Sequence, residues 1–205
     1  MPERALEARP ALSRLAVFAY ASLVNPASAA ETLGRPVDIK ALVRLRGWSR
    51  GWTVARDNRT TEKTFARPDG TIPRYCLGLD ISPDSASEGP NGALIELTEA
   101  ELDRLDLREL RYRRAEVTDA IEPRTAAAAF DAVYAFRARP QNYRPEPPGD
   151  AIVVATYPAA TEAAFAALGA DQLELYRATT PPPPVEVTPA ELVTDRIPEG
   201  NPRTW

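Results

Sequence analysis

The absence of histidine limits the chemistry that this chain can perform. Its 205 residues include no histidine and one cysteine, Cys76. A Ser-His-Asp triad, a Cys-His pair, a histidine-ligated zinc ion and a thiolate metal cluster are therefore excluded. Catalysis has to use carboxylates, lysine, tyrosine, the lone thiol or backbone dipoles. Cys76 lies inside a predicted strand with no histidine to activate it, so a buried structural thiol is the favoured interpretation.

One carboxylate has the sequence environment of a general acid or base. Glu109 lies where a predicted helix gives way to a predicted strand, between Leu107 and Leu110. Apolar neighbours desolvate a carboxylate and raise its pKa, whereas the adjacent Arg108 and Arg111 lower it. The alternative interpretation is a solvated, salt-bridged helix end, which is the commoner environment for a single glutamate.

A loop of small residues is a second candidate feature. A predicted buried strand at residues 15–20 leads into it, and a helix is predicted to begin at Asn25-Pro26. Asparagine is favoured at a helix N-cap and proline at the first helical position. Small side chains expose backbone amides and a helix N-terminus adds positive potential, so residues 20–23 could hold a carboxylate or an oxyanion. The alternative is an ordinary connection between strand and helix.

A third feature combines glycine, tryptophan and arginine. The segment Gly47-Trp48-Ser49-Arg50 is followed by a second glycine and by Trp52. A bent strand with guanidinium groups stacked on the indole rings would fit this pattern. On these residues alone, tryptophan packing is the favoured interpretation.

Short helices and strands must position these residues. Strands are predicted at residues 15–20, within 37–56, and at 74–81, 93–97, 112–121 and 130–137, with either a strand or the start of a helix at 151–155. Helices are predicted after Asn25-Pro26 as far as Gly34, from a capping box at residues 98–101 to about Arg108, at 161–168, at 171–176, and as a final short helix from Thr188. Because strands and helices do not alternate regularly, the α+β class is predicted.

The length of the chain fits one domain with a real core. We predict a flexible leader at residues 1–13, a domain at 14–178 and a Pro-rich C-terminal extension at 179–205 that packs on the domain. The first nine residues carry four charges, Glu3, Arg4, Glu7 and Arg9, so a signal peptide is not expected.

Composition argues against several classes of partner. The formal net charge is -4 and the isoelectric point is near 5.1, and the arginines are interleaved along the sequence with acidic residues, so no nucleic-acid partner is expected. The longest apolar runs are too short to span a bilayer, so no membrane partner is expected. A single cysteine fits a reducing compartment, and a cytoplasmic location is expected.

The order of the motifs resembles the γ-glutamylcyclotransferase superfamily over roughly residues 15–178. Tyr20-Ala21-Ser22-Leu23 matches the family's Tyr-Gly-Ser-(Leu or Asn) motif, and Gly47-Trp48-Ser49-Arg50 matches its Gly-aromatic-x-Arg strand. A Gly-x-hydrophobic strand at residues 92–97, Leu105-Asp106, Glu109 and Tyr112-Arg113 then follow in the family's order. Tyr157 is our candidate for a tyrosine that begins a late helix.

The resemblance implies a fold, a reaction and a set of site residues. The fold would be a mixed sheet curled into a partly closed β-barrel with short helices at its sides. The substrate's own α-amine would attack its γ-glutamyl carbonyl, releasing 5-oxoproline and a free amine, without a metal or cofactor. Glu109 would be the acid and base, and the small-molecule substrate would be bound by Tyr20, Ala21, Ser22, Leu23, Arg50 and Tyr157.

One departure from the family pattern leaves other functions open. Ala21 stands where the family has glycine, which would be obstructive if the position needed a positive φ. A non-catalytic module that binds a small ligand in the same pocket is therefore the alternative. An enzyme of the same fold that acts on a different γ-glutamyl compound is another, with its specificity in residues 138–148 and 180–205. A homodimer is also possible.

Overall fold

A computed structural model describes residues 13–197 of the chain. The helices in this range are α1 (Pro26–Leu33), α2 (Glu99–Arg108), α3 (Arg124–Ala127), α4 (Thr156–Leu168) and α5 (Ala170–Ala178). The strands are β1 (Leu15–Ala19), β2 (Ile39–Leu45), β3 (Trp48–Asp57), β4 (Lys63–Ala66), β5 (Tyr75–Pro83), β6 (Asn91–Leu97), β7 (Tyr112–Glu116), β8 (Ile121–Glu122), β9 (Ala132–Ala138), β10 (Ala151–Val154), β11 (Val187–Thr188) and β12 (Glu191–Asp195). Residues 1–12 of the predicted leader and residues 198–205 of the predicted extension lie outside the described residues.

The main sheet is mixed and curled. Its six strands run in the order β7-β9-β1-β6-β2-β8, with β1 parallel to β9 and antiparallel to β6. A second sheet has the order β11-β10-β5-β3, and β5 contacts the end of β9. Short helices pack at the sides of this half-barrel. The prediction of an α+β fold built on a curled, partly closed mixed sheet is confirmed.

The first strand is the centre of the core. All five residues of β1 are buried, because the strand has neighbours on both edges and packing on both faces. Phe18 is 1% exposed, and it packs in one cluster with Leu94 and Ile95 of β6. Burial of a large apolar side chain contributes about 1.5–3 kcal/mol. The rigid end of β1 then sets the position of the loop that follows it.

The local signals of two helices are confirmed. The Asn25 side chain accepts a hydrogen bond from the amide of Ala27 at 2.9 Å, and Pro26 is the first residue of α1. Gly34 ends α1 with φ of 72°, a left-handed conformation that glycine adopts without steric cost. At the start of α2, Thr98 and Glu101 form the reciprocal capping box.

The predicted final helix from Thr188 is wrong, because this segment forms strands. Residues Glu191–Asp195 form β12, which pairs antiparallel with β4. Val193 and Thr194 are β-branched and favour extended backbone, and the edge of β4 supplies hydrogen-bond partners that the isolated segment lacks. Strand β4 itself lies between residues 57 and 73, a range in which no strand is predicted from the sequence.

Two further boundaries differ from the sequence prediction. Helix α4 begins at Thr156, ahead of the predicted residue 161, so that Tyr157 lies in its first turn. The strand predicted at 112–121 is divided, because β7 ends at Glu116 and a 3-10 turn at residues 118–120 precedes β8.

The chain after α5 runs back over the second sheet. The carbonyl of Pro181 accepts a hydrogen bond from Nε1 of Trp52 at 2.9 Å. Strand β11 pairs parallel with β10, and the amide of Arg196 donates to the carbonyl of Glu62 at 2.8 Å. Among residues 13–197, no helix has the length and apolarity that crossing a membrane requires.

Candidate active site

A small cleft lies at the end of β1, beside the C-terminus of α2. Its volume is about 40 Å³. The lining residues are Phe18, Ala19, Tyr20, Ala21, Ser22, Leu23, Leu79, Glu109, Tyr112, Phe136 and Tyr157. The structure therefore brings together six of the seven site residues predicted from the sequence, although they come from three distant parts of the chain.

Glu109 enters the cleft because α2 stops one residue before it. Its φ of -90° and ψ of 45° are not helical, and its amide caps the helix by donating to the carbonyl of Leu105 at 2.8 Å. Its own carbonyl accepts from the amide of Tyr112 at 2.8 Å, which turns the chain into β7. This tight turn directs the Glu109 side chain away from the helix axis and into the cleft.

Burial and neighbouring positive charge shift the pKa of the Glu109 carboxyl in opposite directions. Its side chain is 17% exposed, and burial raises its pKa above the ordinary value of 4.5. The guanidinium groups of Arg108 and Arg111 act in the opposite direction, but the desolvation is the larger effect. A carboxyl of this kind can both accept and return a proton under mild conditions.

Arg108 connects Glu109 to the loop of small residues. Its side chain is 1% exposed, and its Nε lies 3.3 Å from Oε1 of Glu109. Its Nη2 donates to the hydroxyl of Ser28 at 2.9 Å and to that of Ser22 at 3.4 Å. Its Nη1 donates to the Thr32 hydroxyl and to the Ser28 carbonyl. One buried guanidinium thus fixes the carboxyl, helix α1 and the loop relative to one another.

The loop at residues 20–23 presents backbone amides at the edge of the cleft. The amides of Val24 and Asn25 donate to the carbonyls of Ala21 and Ser22, at 2.9 and 3.2 Å, in a 3-10 turn. For the amides of Ser22 and Leu23, no protein acceptor is found within residues 13–197. Free amides at the start of such a turn form an anion-binding concavity.

Ala21 does not occupy a conformation that demands glycine. Its φ is -141°, outside the left-handed region in which a Cβ is costly. The difference from the family's glycine therefore introduces no backbone strain at this position. Its methyl group lies on the lining of the cleft.

Three tyrosines surround the carboxyl. The hydroxyl of Tyr20 donates to the carbonyl of Phe136 at 2.7 Å, and that of Tyr112 donates to the carbonyl of Leu79 at 2.8 Å. Burial raises the pKa of Tyr20, Tyr112 and Tyr157, and the charge of Glu109 raises all three further. All three phenols are therefore neutral at physiological pH, and each hydroxyl oxygen can accept a hydrogen bond from a cationic ligand.

The structure does not bring Arg50 into the cleft. Arg50 is 2% exposed, and its Nη1 donates to the Thr180 hydroxyl at 2.8 Å. Its guanidinium carbon lies 4.8 Å from the ring centre of Tyr176 and 5.2 Å from that of Phe165. Arg50 joins β3 to α4, α5 and the chain beyond them. The stacked guanidinium that the sequence suggested is present, but its partners are these two rings and not Trp48 or Trp52.

Tyr112 and Arg108 complete the site, although neither is predicted as a site residue from the sequence. Tyr112 was part of the matching motif, and the alternation of β7 could have placed its ring on the same side as the cleft. Arg108 gave no usable signal, because a charged residue in the last turn of a helix is usually solvated. Its burial depends on the packing of α1 against α2.

The described residues hold a second, larger groove but no metal cluster. The groove has a volume of about 520 Å³ and lies between β2 and α5. Two of its charged residues are already paired, Arg44 with Glu88 and Arg124 with Asp119. Within residues 13–197, no group of three or more His, Cys, Asp or Glu side chains is arranged to hold a metal ion.

Comparison with solved structures identifies the fold. A structure described as γ-glutamyl cyclotransferase superposes with a TM-score of 0.54 at 14% identity, covering 85% of this chain and 94% of that one. An uncharacterized protein from Homo sapiens gives 0.55 at 14% identity, covering 86% and 94%. YkqA from Bacillus subtilis gives 0.51 at 18% identity, covering 80% of this chain and 53% of its own. This chain has the γ-glutamylcyclotransferase-like fold.

Comparisons at the level of sequence give no match. No family model matches the chain, and no curated protein does. Because these solved structures are 14–18% identical to this chain, their similarity to it shows the fold alone.

Proposed function

We propose that this chain cleaves a γ-glutamyl amide to give 5-oxoproline and a free amine. The observation that carries the proposal is the position of Glu109, a desolvated carboxyl in the same small cleft as the amides of the loop at residues 20–23. The fold shared with a γ-glutamyl cyclotransferase structure supports the same reaction. The single cysteine is our ground for proposing a cytoplasmic location.

The reaction needs one proton shuttle and one anion site. The substrate's α-ammonium gives a proton to the Glu109 carboxylate, and the free amine attacks the γ-carbonyl carbon. The new C–N bond closes the ring while the carbonyl oxygen becomes an oxyanion, which the amides of Ser22 and Leu23 stabilise. Glu109 returns the proton to the leaving nitrogen as the original amide bond breaks and the oxyanion becomes a carbonyl again. The ring nitrogen still carries an extra proton after the attack, and it gives this proton to Glu109, which passes it to the released amine. The products are 5-oxoproline and an ammonium ion, so atoms and charge balance without any other reactant.

The enzyme's contribution is mainly orientation. Intramolecular attack by a well-placed group reaches effective molarities of about 10⁵ M or more, and acid–base help adds about 10²–10⁴-fold. Neutral phenols of Tyr20 and Tyr112 point at backbone carbonyls and leave oxygen lone pairs for the α-ammonium. The cleft has a volume of about 40 Å³ and Tyr157 lines it, so we propose that Tyr157 moves outward to admit a glutamyl group and then covers it.

The pH dependence of kcat/KM should report Glu109. Its ionised form accepts the proton, so activity should rise with pH as this carboxyl loses its own proton. Since burial raises its pKa, the inflection should lie above 4.5, the ordinary value for glutamate. A rate profile measured from acid to neutral pH checks this. An inflection at or below 4.5 would mean that a different group controls the rate.

Arg108 should act as a positioning residue. The variant Arg108→Gln removes a cation that lowers the pKa of Glu109, so the acid inflection should move to higher pH. The loss of its contacts to Ser22 and Ser28 should also lower kcat/KM by roughly 10–100-fold, because misplacement of reacting groups is costly.

The variant Arg108→Lys is the matched control for charge. Lysine keeps the cation but lacks the planar fork, so the inflection should stay while the rate falls. Pure structural damage would lower the rate of both variants and leave both inflections where they are in the wild type, and that result would exclude the positioning role.

A panel of γ-glutamyl compounds tests the function itself. Purified protein is incubated with γ-glutamyl dipeptides, glutathione and γ-glutamylamines, and 5-oxoproline and the free amine are measured together. We expect equal amounts of both from at least one compound. If a compound binds by calorimetry and no member of the panel yields 5-oxoproline, the alternative of a non-catalytic binding module is correct.

A further inference from the structure

The face of the main sheet that points away from the cleft carries a pair of arginines. Tyr112 of β7 and Phe136 of β9 both line the cleft. Successive side chains of a strand point to opposite faces, so the next residues, Arg113 and Arg137, point away from it. They are register partners in the antiparallel pair β7–β9, so their side chains are direct neighbours.

Two more arginines extend this pair at the same end of the strands. The amide of Arg139 donates to the carbonyl of Arg111 at 2.9 Å, which continues the pairing beyond the two strands. We call Arg111, Arg113, Arg137 and Arg139 the arginine face. Like charges directly opposite each other on a sheet are destabilising, so this arrangement needs anions to offset it.

The described part of the chain supplies one close carboxylate. Both carboxylate oxygens of Glu62 lie 2.7 Å from Nη2 of Arg111. Within residues 13–197, no ion pair is formed by Arg113, Arg137 or Arg139. This contrasts with exposed arginines elsewhere, such as Arg46, which pairs with Glu122 at 2.9 Å, and Arg124, which pairs with Asp119 at 2.8 Å.

Asp80 also lies near Arg137, and both of its carboxylate oxygens already accept hydrogen bonds. Oδ1 of Asp80 accepts from the amide of Ala138 at 2.7 Å, and Oδ2 accepts from the Thr53 hydroxyl at 3.0 Å. Asp80 is 1% exposed, and it reaches Arg137 only through its electric field. It therefore does not supply the missing contact.

The arginine face is partly built into the protein. The Nε atoms of Arg137 and Arg139 are buried, and no acceptor within residues 13–197 reaches them. The guanidinium of Arg137 lies 5.7 Å from the ring centre of Trp48, which limits its freedom. Arg113 is exposed, so a ligand can reach the arginine face from solvent at this residue. The Nε atoms are closed to solvent, so a ligand that supplies oxygen atoms would contact the terminal Nη groups of these arginines, which are not among the buried donors.

We propose that Arg113, Arg137 and Arg139 form a binding site for a multiply charged oxyanion, the phosphate group of a small molecule. Guanidinium groups donate paired hydrogen bonds to phosphate oxygens, and three cations favour a multiply charged group over a single carboxylate. The site lies on the opposite face of the sheet from the cleft. Binding of an anion at these arginines therefore does not depend on whether the chain catalyses the proposed reaction.

Calorimetric titration with inorganic phosphate and pyrophosphate tests the site. Ionic strength is held constant with chloride, and acetate serves as the singly charged comparison. We expect saturable binding of phosphate, tighter binding of pyrophosphate, and none of acetate. The double variant Arg137→Gln, Arg139→Gln should bind pyrophosphate at least tenfold more weakly, on the order of the loss of one charge-assisted contact.

The double variant Arg46→Gln, Arg124→Gln is the matched control, because it removes the same charge from exposed, paired positions. It should bind pyrophosphate as the wild type does. Equal weakening in the two double variants would show general attraction to charge and overturn the site, as would the absence of saturable binding by the wild type. The single variant Arg113→Gln, at an exposed position, should also weaken binding, and it provides the same test if the half-buried Arg137 and Arg139 are needed for folding.

Discussion

Replacement of Glu109 by glutamine should reduce the release of 5-oxoproline by about 10²–10⁴-fold. Glutamine keeps the size and shape of the side chain, and it cannot take the proton from the substrate's α-ammonium. The cleft, the loop amides and the three tyrosines stay in place, so substrate affinity should fall less than kcat, through loss of the ion pair between the carboxylate and the α-ammonium. The measurement is kcat and KM for the best substrate of the panel, with 5-oxoproline as the product observed.

The same variant should not be less stable than the wild type at neutral pH. Burial raises the pKa of Glu109 in the folded protein above 4.5, its ordinary value. In the pH range between the unfolded and the folded pKa, the folded protein therefore keeps a proton on this carboxyl that the unfolded chain has lost. Stability therefore falls as pH rises through that interval, and at neutral pH the carboxylate is a net cost that glutamine removes. A melting temperature well below that of the wild type would show that Glu109 is chiefly structural.

Replacement of Gly92 by alanine should give the largest loss of stability among the glycine variants of the sheet. A Cβ on Gly92 would lie 2.3 Å from the carbonyl oxygen of Ala19 and 2.6 Å from the ring of Phe18. Neither neighbour can give way, because β1 is wholly buried. Overpacking of this kind costs about 1–3 kcal/mol or more, which corresponds to a drop of several degrees in melting temperature.

Gly51→Ala provides the control for this prediction. The nearest atom to a Cβ on Gly51 is Cγ2 of Thr53 at 3.7 Å, an ordinary contact, so this variant should melt close to the wild type. Because Ala19 directly precedes the loop at residues 20–23, Gly92→Ala should also lower activity by displacing the loop amides. Equal melting temperatures for the two variants would show that β1 and β6 are not packed as closely as described.

Local signals in the sequence were sufficient for much of the fold. Asn25-Pro26, Gly34 and the capping box at residues 98–101 fix helix ends through contacts that span a few residues, so they could be read without knowledge of the rest of the chain. The segment Glu191–Asp195 could not, because it becomes a strand only by pairing with β4, more than a hundred residues earlier. In this segment, pairing with β4 outweighed the local preference for a helix beginning at Thr188.

In the site, too, some positions follow from short motifs and others depend on contacts between distant parts of the chain. The order of short motifs placed Glu109 and the loop at residues 20–23 together, and the cleft contains both. Arg50 matched the motif equally well, but stacking against Phe165 and Tyr176 holds it in the core. Residue type and spacing do not reveal which face of a bent strand an arginine uses.

The arginine face shows what one-dimensional charge patterns miss. Along the sequence the arginines alternate with acidic residues and form no basic stripe. Antiparallel pairing of β7 with β9 places Arg113 beside Arg137, although 24 residues separate them in number. Only the register of the strands could predict that neighbourhood.

A crystal structure of the Glu109→Gln variant with a γ-glutamyl dipeptide bound tests the central claim most directly. We expect the substrate's α-amine within about 3 Å of the residue 109 side chain. We also expect the γ-carbonyl oxygen to lie at the amides of Ser22 and Leu23. A dipeptide bound with its amine remote from residue 109, or seated outside the cleft, would contradict the assignment of Glu109 as the group that moves the proton.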